Sequence, residues 1–229
     1  MNLSDLMDVK LFSQALSKFL FGLIIISLLL FIPAGTLNYP NAWLFLALLF
    51  IPMFIAGIIM LIKSPKLLKR RLNAKEEENE QKIVILISGA IFLLAFIIAG
   101  LNFRFGWSKL PQIVVVVASI IFLLSYIMYA EVLRENIYLS RTVEVSENQK
   151  VVDSGLYGLV RHPMYTSTIF LFLSMPLILG SLFSFVIMLI YPIIIFFRIK
   201  NEERFLEIKL EGYKEYKEKV KYKIIPFIW

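Results

Sequence analysis

The sequence predicts an all-α, polytopic integral membrane protein with about six membrane helices: four spans, a C-terminal helical hairpin, and a cytoplasmic amphipathic tail helix. Three observations predict it. Of 229 residues, 59% are apolar and 18% are charged, against roughly 25% charged in soluble domains. The apolar residues gather into runs long enough to cross a bilayer as helices. The basic residues concentrate in alternate connections between those runs, as topology signals do. This composition excludes a soluble globular enzyme, a disordered chain and a nucleic-acid-binding domain. The net charge of +7 reports membrane topology before it reports a nucleic-acid partner. Cysteine is absent, which excludes disulfides, thiolate nucleophiles and cysteine metal sites. One histidine excludes a multi-histidine metal centre.

The first run, Phe19 to Ala34, is followed by further apolar runs and by no obvious small-residue cleavage site. It is expected to be a retained span and not a signal peptide. Ala42 to Ile62, Ile83 to Leu101 and Ile113 to Leu133 supply the second to fourth spans. A fifth apolar stretch runs from Met164 to Phe197. As one helix it would be about 50 Å long at 1.5 Å per residue, and the hydrocarbon core is only about 30 Å thick. Leu179-Gly180-Ser181 lies at its middle, with Pro176 shortly before. Two legs of about 16 residues, folded back as a hairpin, fit better.

The charges agree with the hairpin. Lys63 to Lys82 holds seven Lys/Arg, Arg134 to Pro163 four, the tail from Arg198 nine, and the N-terminal arm two. Only Arg104 and Lys109 fall in the remaining connections. With the hairpin, 22 of 24 basic residues share one side, which the positive-inside rule places in the cytoplasm together with both termini. From Lys200 to Tyr222 acidic and basic residues alternate, and Leu206, Leu210, Tyr213 and Val220 recur at helical spacing. That predicts an amphipathic helix that lies at the interface or packs on the cytoplasmic face. The apolar end Ile224 to Trp229 is expected to dock back on the membrane surface. The acidic run Glu76 to Glu80 reads as a solvated helix face or loop. The chain divides into N-terminal membrane helices, 1–133, and a C-terminal region, 134–229.

Polar residues with chemical potential flank the hairpin. Upstream stands Asp153-Ser154-Gly155-Leu156-Tyr157-Gly158, then Arg161-His162-Pro163-Met164-Tyr165. Pro163 suits a first helical turn, which puts His162 at its N-cap. Amides of such a turn favour an anion. Downstream, Arg198 and Glu202 are four apart and share a helix face. A hairpin brings that face to the His162 loop, giving an arginine, a carboxylate, aromatic rings and a helix start in one place at the membrane boundary. The same residues also suit plainer roles: His162 as a helix cap, Arg198 with Glu202 as an interfacial ion pair, the tyrosines as belt residues.

The run Gly155-x-Tyr157, Arg161-His162-Pro163-x-Tyr165, then Arg198-x-x-x-Glu202-Glu203-x-x-Leu206, Gly212-Tyr213-x-x-Tyr216, Val220-x-Tyr222 and Pro226 resembles the isoprenylcysteine carboxyl methyltransferase family of integral membrane enzymes. More loosely, it is similar to phospholipid methyltransferases. The resemblance covers Gln149 to Trp229. It implies S-adenosylmethionine as methyl donor, bound without a Rossmann domain. Carried over by position, Gln149, Lys150, Val151, Val152, Tyr157, His162, Pro163, Met164, Tyr165 and Glu202 would line the cofactor pocket, and Arg198 would face the methyl acceptor as the catalytic and substrate-binding residue. Thr166 and Ser167 depart from the pattern, where family members commonly place a glycine soon after the tyrosine. The acceptor implied is lipophilic, most simply a carboxylate, reached from the bilayer. A carboxylate with a pKa near 4 is ionised at pH 7 and needs no general base.

Two rival readings remain at this level. Sterol-type membrane reductases resemble the R-H-P-x-Y segment and the V-x-Y-x-I-I-P ending, and would use NADPH. A transporter or scaffold needs no reaction, but transport sites place ionisable residues near the midplane, and these spans carry essentially none.

Overall fold

The computed structural model describes residues 3–73, 79–140 and 145–229. Among these the chain is helical, without a strand. In order come α1 (Leu3–Ala34), α2 (Pro40–Lys63), α3 (Pro65–Leu72), α4 (Asn79–Phe105), α5 (Gln112–Glu135), a short 3-10 turn (Gly155–Gly158), α6 (Pro163–Ile178), α7 (Leu182–Met188), α8 (Ile190–Lys209) and α9 (Tyr213–Lys219). Five of them are long and apolar enough to cross a membrane: Val9–Ala34, Pro40–Lys63, Lys82–Phe105, Gln112–Glu135 and Leu182–Lys209, the last combining α7 and α8. The acidic run Glu76 to Glu80 falls mostly outside the described residues.

The four expected spans are present, each longer than its apolar run. α1 extends furthest, because neither Gly nor Pro interrupts the chain between Leu3 and Phe21. Lys, Arg, Glu and Gln at the other helix ends have high helix propensity and carry the turns outward. α2 opens on Pro40, where the missing N–H is no loss. α3 is a short amphipathic helix that buries Leu67 and Leu68 and exposes Lys66 and Lys69.

The hairpin forms, and it turns at Leu179, Gly180 and Ser181 as expected. Its legs are unequal, which corrects the expectation of two matched helices. α6 has 16 residues, about 24 Å by helical rise and short of a full span. The returning leg runs 28 residues from Leu182 to Lys209. Pro192 explains the break between α7 and α8: it has no N–H for the carbonyl of Met188, and its ring crowds that carbonyl.

The separate amphipathic tail helix is likewise corrected. Residues 200–209 are the last turns of α8, since Glu, Lys and Leu give the helix no reason to stop after Phe197. It stops at Leu210, which is extended, and at Gly212, whose φ of +81° is a left-handed conformation that only glycine adopts freely. The seven-residue α9 follows.

Lipid tails are as apolar as leucine, so helix association in a bilayer rests on packing and interhelical hydrogen bonds. The main core supplies the packing, with Leu30, Phe45, Phe122, Met175, Ile178, Met188 and Ile199 all buried in it. It draws on both the N-terminal helices and the hairpin. Hydroxyls tie helices to neighbouring backbones: Tyr126 donates to the Leu49 carbonyl at 2.9 Å and Ser184 to that of Ala95 at 2.8 Å. The hairpin turn is held by Tyr39, which donates to the Leu179 carbonyl at 2.6 Å, and by Asn102, which donates to the Gly180 carbonyl at 3.3 Å. The open end of the hairpin carries the polar residues singled out in the sequence.

Candidate active site

The wall on the α5 side is built around one glycine. Gly155 has φ +56°, and a Cβ there would lie 1.6 Å from a carboxylate oxygen of Glu135. With no side chain in the way, Glu135 accepts from the Leu156 amide at 3.0 and 3.1 Å. This fixes the 3-10 turn that presents Tyr157. The Asn136 amide donates to the Tyr157 hydroxyl at 3.0 Å, and the Tyr216 hydroxyl donates to the Tyr157 carbonyl at 2.8 Å. Burial pushes the Tyr157 and Tyr216 phenols well above their ordinary range, so both are neutral at pH 7. Residues 136–140 continue this wall. α3 braces them: Arg70 donates to the Ile137 carbonyl and Arg71 to that of Ser140, each at 3.0 Å.

The start of α6 is pinned by the chain's final segment. The Arg161 and His162 amides donate to the carbonyls of Tyr222 and Lys223 at 2.9 and 2.8 Å. Thr166 donates to the Ile224 carbonyl at 2.8 Å. Arg161, His162 and Glu203 are about 5% exposed or less. Arg161 Nε meets Glu203 Oε1 at 2.7 Å, and its Nη1 donates to the carbonyls of Val220 and Lys221 at 2.6 and 2.8 Å. His162 Nε2 lies 3.2 Å from the same Glu203 oxygen, and Lys223 Nζ lies 3.6 Å from the other. Such a buried network holds only while every charge keeps its partner.

A second chain of contacts lies in front of the first. Arg198 Nε donates to the Tyr165 hydroxyl at 2.8 Å, and that hydroxyl donates to Glu202 Oε2. The guanidinium also lies 5.9 Å from the Tyr165 ring centre. His162 Nδ1 stands 3.9 Å from Glu202 Oε1, between the two networks.

These elements enclose a cleft of about 820 Å³, solvent at its mouth included. Gln149, Lys150, Val151, Val152, Tyr157, His162, Met164, Tyr165, Arg198 and Glu202, all expected from the sequence, line it. Pro163 does not. It is buried at the first position of α6, where its fixed φ starts the helix.

The helix start is also less open to an anion than its sequence suggests. Pro163 has no N–H, and the amides of Tyr165 and Thr166 turn back onto the His162 carbonyl. His162, which lines the cleft, shares its buried ring between Glu203 and Glu202.

Sequence reasoning did not place Asn136, Tyr138, Leu139, Ser140, Arg161, Leu206, Leu210, Tyr213 and Tyr216 on this surface. For Leu206, Leu210 and Tyr213 the signal was visible, since their helical spacing marks one face. That face was read as meeting the interface or the protein's cytoplasmic face, without a cleft beside it, and it borders the cleft. For residues 136–140 the sequence carried no signal beyond the end of a span.

A carboxylate, a guanidinium and aromatic rings at one membrane-adjacent cleft suit binding of a cationic ligand beside an anionic one. No curated protein matches the chain. Residues 112–211 do match the family model for phospholipid methyltransferase, a family related to the isoprenylcysteine carboxyl methyltransferases; this segment runs from the start of α5 through both halves of the cleft, and the match supports methyl transfer at a membrane and lends no support to a reductase.

Proposed function

We propose that this protein transfers a methyl group from S-adenosylmethionine to a lipophilic carboxylate at the membrane interface, with the cleft facing the cytoplasm. The observation that carries this reading is the Arg198–Tyr165–Glu202 chain, which joins a cationic and an anionic binding group in a single cleft. The orientation rests on 22 of 24 basic residues falling on the cleft side.

The cleft fits such a donor. Glu202 can accept from an ammonium or from ribose hydroxyls. The Tyr165 and Tyr157 rings offer faces to a cation. When bound, S-adenosylmethionine supplies an electrophilic methyl group on a sulfonium. Arg198, its Nε held by Tyr165, orients an acceptor carboxylate through its planar fork. Tyr165 is 4% exposed and helps keep water from that position. Glu203 and His162 hold Glu202 in place from behind. Because the carboxylate is already ionised, no group here has to take a proton. The chain contributes positioning and exclusion of water.

The test is binding and turnover on the purified protein. S-adenosylhomocysteine binds saturably and NADPH does not. Arg198→Ala lowers kcat/KM on a prenylated cysteine carboxylate about 100-fold or more, and changes S-adenosylhomocysteine affinity less than about threefold. Arg198→Lys recovers little, because it lacks the fork. An equal loss of turnover and affinity contradicts the acceptor-side role. Methylation of phosphatidylethanolamine in place of the carboxylate overturns the acceptor and keeps the methyl transfer.

A further inference from the structure

The last described residues fold into a small closed loop. The amides of Ile224 and Ile225 donate to the main-chain oxygen of Trp229 at 2.9 and 3.1 Å, and the Trp229 amide donates back to the Ile225 carbonyl at 3.1 Å. The loop contains an anomaly. Phe227 has φ +65° and is one of two non-glycine residues with positive φ among the described residues. The other is Asn148, a residue type that tolerates this conformation. Phenylalanine does not, so the position is strained. The strain does not serve to bury the ring: Phe227 is 87% exposed and Ile228 is 76% exposed. A strained backbone that holds two large apolar side chains outward calls for a cause.

The place of the loop says what covers them. The Trp229 ring stacks on that of Phe196 in α8, with centroids 5.1 Å apart. Phe196 belongs to the span Leu182–Lys209, and it is exposed together with Ile193 and Phe197. The loop is thus laid against the lipid-facing side of a membrane helix, at the open end of the hairpin. Its bare apolar side chains continue that lipid-facing surface. Against water they would form an apolar patch without a counterpart. Against hydrocarbon they extend what α8 already presents.

The same loop carries a strap, residues 220–224, that borders the site. The Phe227 ring lies 5.2 Å from that of Tyr222. Lys223 Nζ lies 4.8 Å from the Trp229 ring centre and 3.6 Å from Glu203. The carbonyls of Tyr222 and Lys223 receive the Arg161 and His162 amides, and that of Ile224 receives the Thr166 hydroxyl. We propose that Phe227 and Ile228 insert into the hydrocarbon of the leaflet on the cleft side, and that this insertion holds the strap against Arg161 and His162. The bilayer is then a structural part of the wall that carries the site. This goes beyond the docking expected from the apolar composition, because it names the side chains that enter and the bonds they hold. It does not depend on the reaction proposed above.

The experiment uses the full chain in vesicles of equal parts phosphatidylcholine and phosphatidylglycerol. The chain has no cysteine, so Ile228→Cys and, separately, Glu218→Cys each give a unique site for a nitroxide label. Glu218 is exposed on α9 and serves as the aqueous reference. The label at 228 is relaxed by oxygen and shielded from a water-soluble nickel chelate, and the label at 218 shows the reverse. Amide exchange of the peptide containing Arg161 and His162 then reads the strap. The pair Phe227→Asn with Ile228→Ser accelerates that exchange on the order of tenfold or more, since two apolar anchors are lost. The pair Phe227→Leu with Ile228→Leu keeps the anchors and exchanges like wild type.

A label at 228 that meets the nickel chelate as freely as the label at 218 overturns the proposal. Unchanged or slower exchange in the polar pair overturns it too: asparagine accepts a positive φ, so a loop held only by its own conformation would be tightened by the change. A leucine pair that exchanges as fast as the polar pair shows that side-chain shape and not apolarity holds the loop, and overturns the proposal as well. Should the polar pair fail to fold, Ile228→Ser alone is read in its place. It leaves the Phe227–Tyr222 ring contact intact and is expected to speed exchange about threefold; exchange equal to wild type then decides against insertion.

Discussion

The α6–α8 hairpin is closed by polar groups at both ends, and the two closures differ in kind. At the turn the groups are neutral and satisfied. Asn102 donates to the carbonyls of Ser108 and Gly180 at 3.2 and 3.3 Å and accepts from the Ser108 amide and hydroxyl at 3.0 and 2.8 Å. The Leu182 amide donates to the Ser108 hydroxyl at 3.1 Å. At the open end the groups are charged, a cleft lies among them, and one buried hydroxyl lacks a partner. The difference separates an end built only to hold from the end at which a ligand is proposed to bind. A closure that must only hold gains most from neutral groups that exhaust one another, since an unsatisfied polar group in an apolar setting costs heavily. A closure that must receive a ligand keeps charge and leaves some capacity unused.

The largest effect is expected at Glu203. Its carboxylate serves Arg161, His162 and Lys223 together. Glu203→Leu leaves the Arg161 guanidinium buried without its counter-charge, at a cost of about 3–5 kcal/mol. Thermal melting in detergent reads this as a large drop, with loss of S-adenosylhomocysteine binding, because Glu202 and His162 lose their backing. The double variant Arg161→Met with Glu203→Leu recovers much of the stability, since no charge is left unpaired. A single variant that melts like wild type would show that the ionic network does not close this end.

Asn102→Leu comes next, at about 1–3 kcal/mol, the cost of unsatisfied buried groups. It strips the Gly180 carbonyl and the Ser108 amide of their partner while leaving the open end intact. Melting falls, and the S-adenosylhomocysteine affinity of the folded fraction stays unchanged. A weakened affinity in protein that is still folded would mean that the two ends are coupled, and the division of labour would fail.

The same contrast separates what the sequence discloses from what it conceals. The turn at Leu179-Gly180-Ser181 was legible, because a 34-residue apolar stretch cannot cross as one helix and Gly180 takes φ +75°. The pairing of Arg161–Tyr165 with Arg198–Glu203 followed from that turn. The groups that pin the turn were not legible. Tyr39 and Asn102 reach backbone carbonyls, and a carbonyl carries no residue signature. The strap from Val220 to Ile224 was hidden for the same reason, being held largely through backbone groups.

His162 was carried into the pocket by resemblance, and it lines the cleft. Its ring turns toward Glu203, which lies one residue beyond Glu202 and so about 100° further round α8. Adjacent glutamates thus divide between the cleft lining and the buried network behind it, a distinction the pattern Glu-Glu cannot express. Periodicity found the stripe of Leu206, Leu210 and Tyr213, but periodicity names a face and not what the face meets.

The smallest effect is expected at the rim of the open end, where Asp153 and Lys219 pair at 2.7 Å with side chains 49% and 67% exposed. The Lys219 hydrogen bond holds the Asp153 carboxyl below the ordinary carboxylate range. A lowered folded-state pKa favours the native state above the unfolded pKa near 3.9, and that contribution disappears as pH falls through the folded value. The direction is therefore stabilising at pH 7. In the high dielectric at this rim the attraction is weak, and salt screens it further. Asp153→Asn should leave the melting temperature at pH 7 and the S-adenosylhomocysteine affinity unchanged within measurement, at low and high salt alike. A drop approaching that of Asn102→Leu would show that charge, and not burial with its demand for partners, decides which contacts hold the hairpin closed.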